Sequence, residues 1–143
     1  MAEEKGTLST FYDSWKLYQD HLAEALAPLT PEQLAQRPAP GMRSIGETTA
    51  HIIATRVGWF VHFLGEEPGE AAAFDRFDAP GAPARSSTEL VNGLEASWKL
   101  MRDALARWDA GEMAKRISRE REGRTYEFSR SWVIYHLLEH DLH

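Results

Sequence analysis

Four separate segments of this chain repeat apolar residues every three or four positions, and that spacing restricts the possible folds more than any other feature. A helix turns about 100° per residue, so residues spaced this way share one stripe that has to be buried. The first stripe is Leu8, Phe11, Trp15, Tyr18, Leu22 and Leu26, on a helix expected from about Ser9 to Ala27 and ended by Pro28. The second is Ile45, Thr49, Ile52, Arg56, Trp59 and Phe63, with Arg56 a charged interruption. The third is Leu90, Leu94, Trp98, Met101, Leu105 and Trp108. The fourth segment is a helix that starts near Ser129 or Ser131 and includes Trp132, Val133, Tyr135, His136, Leu137 and His140. Four such stripes predict an all-α fold, a four-helix bundle occupying residues 1–143 as one domain.

Local signals set the boundaries. Thr30-Pro31-Glu32-Gln33 starts a short turn, and residues 37–41, with two prolines and a glycine, form a loop. Ser44-Ile-Gly-Glu47 and Ser86-Ser-Thr-Glu89 are capping boxes. In each, the hydroxyl takes an orphan N–H and the glutamate reaches back. Gly65 and Gly111 are expected to close the second and third helices. Residues 66–85, rich in Pro, Gly, Ala and acid, form a long helix 2–helix 3 connection of the kind more often functional than structural. Arg119 to Phe128, with Gly123 at its centre, suggests a small hairpin or an extended connection. His143 follows without a glycine cap or a proline, so helix four is expected to be cut at that end.

Composition narrows the function. There is no cysteine, which removes disulfides, thiolate metal ligands and a cysteine nucleophile. A net charge of −6 opposes binding along a nucleic-acid backbone. The basic residues between Lys115 and Arg130 are interleaved with Glu120, Glu122 and Glu127, and read as a solvated face. No apolar run reaches the ~20 residues of a membrane span, and the first residues lack the pattern of a signal peptide. A cytoplasmic location is the expectation. Five tryptophans point to aromatic core filling.

Histidine carries the chemistry. His136, His140 and His143 fall within an arc of roughly 60° on one helix. His51 borders the buried face of the second. An i, i+4 histidine pair met by an imidazole from a neighbouring helix is one way for a bundle to hold a divalent ion. Zinc, nickel and iron(II) all accept neutral imidazole, and three nitrogens leave coordination positions free. Glu47 is a candidate acceptor for the other ring nitrogen of His51, although capping explains it equally well. Glu139 and Asp141 are similar candidates beside His140, with exposed positions expected for both. His62 lies about 16 Å further along the helix than His51. It is read as structural, and His21 as a surface residue. His136-Leu-Leu-Glu139-His140 also matches the H-x-x-E-H pattern of a zinc peptidase, but no acidic third ligand follows it.

Two segments resemble a known family. Ser44-Ile-Gly-Glu-Thr-Thr-Ala-His51-Ile is similar to the helix-two segment of DinB-like proteins. Ser131-Trp-Val-Ile-Tyr-His136-Leu-Leu-Glu-His140-Asp-Leu-His143 is similar to their helix-four signature. The resemblance implies a four-helix bundle, frequently a homodimer, with one metal ligand from helix two and two from helix four. His51 matches the helix-two ligand. The helix-four pair maps either onto His136 and His140 or onto His140 and a residue after His143. The expected ligand set is His51, His136 and His140, with zinc, nickel or iron as the ion. The expected chemistry is transfer of a low-molecular-weight thiol to an electrophilic small molecule. The alternatives are a non-catalytic metal- or ligand-binding stress-response protein and a metal-dependent hydrolase.

Overall fold

The computed structural model describes residues 7–142; Leu8 of the expected first stripe and His143 lie outside the residues whose side chains are described. It is mostly helical. In order along the chain are α1 (Thr7–Leu26), the short α2 (Pro31–Leu34), α3 (Ile45–Val57), α4 (Ser87–Arg107), the short α5 (Ala110–Ala114), strands β1 (Arg116–Arg121) and β2 (Arg124–Ser129), and α6 (Arg130–Leu142). The axis of α3 continues as a π-helix over Gly58–Phe63, and a 3₁₀ segment over Gly69–Phe74 begins the long connection.

Three helix starts follow from their caps. Thr30, Ser44 and Ser86 each accept the N–H three residues on, and Gln33, Glu47 and Glu89 return the bond. The third helix ends at Arg107 rather than at Gly111, because Asp109 caps a new turn, α5, that contains that glycine. The hairpin forms, pairing Arg116 with Ser129 and Arg121 with Arg124. Its two-residue turn, Glu122-Gly123, has positive φ at both positions, which matches the twist of the strands.

Packing departs from the expected apolar positions in α1, at the start of α3, and in α6, where Trp132 and Tyr135 are exposed. Trp15, Gln19 and Leu26 are buried in α1, with Leu22 half-buried, whereas Phe11 and Tyr18 are exposed. Tyr18 sits about 70° from the centre of that line, and Gln19 replaces it because Arg56 gives its amide oxygen a buried donor. Ile45 is likewise on the rim, at 37% exposure. The α4 stripe is buried at all six positions.

Trp15, Ile52, Trp98 and Leu137 are all buried, but in two clusters. Trp15, Trp98 and Leu137 pack with Phe60, Met101 and Val133. Ile52 packs with Leu26, Ile53, Leu90 and Leu94. Phe74, from the long connection, touches both.

Where α4 meets α3, Gly93 lets the helices close. A Cβ there would lie 2.8 Å from Ile53 Cδ1 and 3.0 Å from the Phe74 ring. Gly93→Ala gains about 1 kcal/mol of helix propensity and incurs about 1–3 kcal/mol of overpacking. The expected result is net destabilisation of about 1 kcal/mol in urea unfolding; a more stable variant would show that the contact is loose.

Candidate functional site

The histidines of α3 and α6 converge. The His51 and His140 ring centroids are 5.2 Å apart, and those of His136 and His140 are 4.6 Å apart. The Nε2 atoms of His136 and His140 are separated by 3.2 Å. Two imidazoles on one tetrahedral ion, with Zn–N bonds of 2.0–2.1 Å, hold their nitrogens about 3.3 Å apart. The α6 pair therefore already stands at ligand spacing, and neutral nitrogen donors suit a borderline divalent ion. Among the described residues, no three His, Cys, Asp or Glu groups close into a complete metal-binding set.

The three rings are held by different means. His51 Nδ1 lies 2.6 Å from Asp78 Oδ2. With Nδ1–H donating to that carboxylate, the lone pair stays on Nε2. Asp78 comes from the long connection, so that loop orients a histidine of the site. No local sequence pattern marks Asp78. His136 is sandwiched by aromatic rings: Trp132 stacks on it at 4.7 Å and 13°, and Trp59 meets it edge-on at 5.4 Å. Phe128 of the hairpin packs on both tryptophans. Burial of the His140 ring holds its pKa below the ordinary imidazole value, and the neighbouring His136 and His51 act in the same direction. The neutral, ligand-competent form is therefore favoured.

The carboxylates expected beside the histidines are distributed differently. Glu47 does not reach His51. It takes two donors from Arg37 and the N–H of Ser44, and the Arg37 guanidinium followed by that N–H holds its carboxyl at about 2. Glu139 is exposed. Asp141, expected at the surface, is buried. Its Oδ2 accepts from Arg56 Nη2 at 2.6 Å and from Trp15 Nε1 at 2.9 Å, with side-chain exposures of 5% for Asp141 and 1% for Arg56. Arg56 Nη1 also donates to Gln19 at 2.7 Å and reaches Ser97 on α4. Residue 141 follows His140 directly, so this polar knot fixes the last turn of the helix bearing the histidine pair. In the sequence, the interrupted stripe at Arg56 and the acid beside His140 are the signals that point to it.

His62 lies outside the cluster. It is exposed, and its Nε2 is 3.0 Å from the Asp75 carboxylate. His21 is exposed as expected.

The family model described as the DinB superfamily matches residues 15–143. The chain belongs to the DinB superfamily. Among solved structures, it is similar to a DinB-like protein from Bacillus cereus ATCC 10987 at 22% identity and a TM-score of 0.65, covering 93% of this chain and 82% of that one. At that identity the likeness shows a shared fold. No curated protein matches the chain significantly. Within this DinB-superfamily chain, the two segments that carry the resemblance are the ones whose histidines meet.

Proposed function

We propose that this DinB-superfamily protein binds a divalent metal ion through His51, His136 and His140, in a four-helix bundle made by α1, α3, α4 and α6. The observation that carries the reading is the 3.2 Å separation of the His136 and His140 Nε2 atoms with the His51 ring against His140. Three nitrogens would leave open positions, and an ion bound there would lower the pKa of a coordinated thiol so that thiolate forms near neutral pH.

The chain's own residues supply orientation and surroundings. Asp78 fixes the His51 tautomer. Trp132 and Trp59 hold the His136 ring plane and set an apolar wall beside it. With no cysteine in the sequence, a sulfur nucleophile has to be supplied by a cosubstrate. We therefore favour transfer of a low-molecular-weight thiol to a small electrophile, with a non-catalytic metal-binding stress protein and a metal-dependent hydrolase as the competing readings. Among the described residues, no helix is long and apolar enough to cross a membrane, and the proposed setting is cytoplasmic, as a homodimer.

Two measurements test this. Protein purified without a histidine tag should carry close to one zinc, nickel or iron ion per chain by elemental analysis, falling below a tenth in His140→Ala. The loaded protein should then consume a model electrophile only when a thiol is added. Metal without thiol-dependent turnover would select the binding protein; absence of metal after reconstitution would end the proposal.

A further inference from the structure

We propose that the cavity between α2, the first turn of α3 and residues 77–85 is a binding site for a small molecule with an apolar body and one carboxylate. The cavity holds about 470 Å³, within the usual range for small-ligand sites. Its apolar wall comes from Leu34, Ala50 and Phe77, which are themselves buried in the second core cluster. That wall is therefore rigid and dry on its inner side. The lining continues through residues 79–84, where Pro80 and Pro83 restrict the backbone and lower the entropy lost on ordering it around a ligand.

Charge selects the ligand. The net charge of the chain is −6, yet Arg37, Arg43 and Arg85 all line this one cavity. Glu47 is committed to Arg37, and Asp78 to His51. Arg43 is exposed and forms no ion pair among the described residues. Arg85 stacks its guanidinium 3.9 Å from the Phe77 ring centre, stands 4.0 Å from Glu89, and keeps a buried Nε with no acceptor. Arg37 and Arg85 each stand against a glutamate, Glu47 and Glu89, whereas Arg43 has no carboxylate within ion-pair distance among the described residues, which leaves one cation of the lining unpaired. A single carboxylate balances it. A phosphate dianion would instead leave an excess negative charge beside Glu47 and Asp78. A planar carboxylate also matches the fork of an arginine.

The proposal does not depend on metal at the histidines, and its test uses metal-free protein. Octanoate is the probe, titrated into ¹⁵N-labelled protein, with octanamide and inorganic phosphate as comparisons. Octanoate should saturably shift the backbone amides of residues 44–50 and of the non-proline residues within 77–85. Octanamide should bind at least about tenfold more weakly. Arg43→Gln, which removes no ion pair of the fold, should weaken octanoate about fivefold, and Arg85→Gln should do so more strongly. Shifts mapping elsewhere, equal binding of octanamide or of phosphate, or unchanged affinity in Arg43→Gln would each overturn the proposal. The Arg43 variant keeps the test decisive even if Arg85→Gln fails to fold.

Discussion

Asp141→Ala is expected to destabilise the protein by about 3–5 kcal/mol, although it removes only one carboxylate near the end of the last helix. The cost comes from what remains. Arg56, at 1% side-chain exposure, would keep a full charge in the core with its main partner gone, and Trp15 Nε1 would lose its acceptor. The pair itself contributes far less than this loss suggests, because Arg56 Nε and Asp141 Oδ1 are buried without partners and both ions were stripped of water. Replacing both, as Arg56→Met with Asp141→Leu, should therefore recover most of the lost stability. Urea unfolding of the single and double variants measures both effects. A loss under 1 kcal/mol in Asp141→Ala would mean that the helix end opens and lets water reach Arg56. The double variant should also show whether the pair sets the position of His140, since metal binding is an independent readout of that position.

The second large effect is expected from metal. Zinc at about a hundred times its dissociation constant should stabilise the native state by about 2.7 kcal/mol, or roughly 8 °C in melting temperature for a chain of this length. His140→Ala should abolish the shift. His62→Ala should leave it intact, because His62 sits with Asp75 away from the cluster and controls for adventitious binding. The shift should shrink between pH 7.5 and pH 5. Burial lowers the pKa of His140 in the folded protein, so the native state binds fewer protons than the unfolded chain. This histidine therefore contributes stability that is complete above its unfolded value of about 6.5 and is lost as pH falls through the folded value. Protonation also removes the lone pair that a metal needs, so both effects have the same sign. Equal responses of the His140 and His62 variants to zinc would show that the ion binds elsewhere.

Much of the helical frame was legible because its signals are local. The boxes at Ser44 and Ser86 form and start α3 and α4 where expected, since a cap involves only residues three apart. The α4 stripe is buried throughout because one helix face meets partners along its whole length. The α1 stripe was misread at Phe11 and Tyr18. Apolar character alone could not show that a glutamine would be taken inward by an arginine thirty-seven positions later in the chain.

The site divides in the same way. The spacing of His136 and His140 is a property of one helix, and their near-ligand separation follows directly from it. That His51 belongs with them follows from its place at the buried border of a second helix and from family resemblance, and the packing of α3 against α6 brings its ring to 5.2 Å from His140. Asp78 could not be found, because its role depends on the path of a loop whose sequence shows only turn formers. Arg56 and Asp141 were each visible as oddities, an interrupted stripe and an acid beside a histidine. Only the tertiary fold, which brings residues 85 positions apart into one dry contact, shows that they answer each other. Sequence by itself determined the helices, their caps and the i, i+4 histidine pair, because backbone geometry sets all three over a few residues. Tertiary structure decided which polar groups are buried, since the free energy of burying a charge depends on the partner that long-range packing delivers.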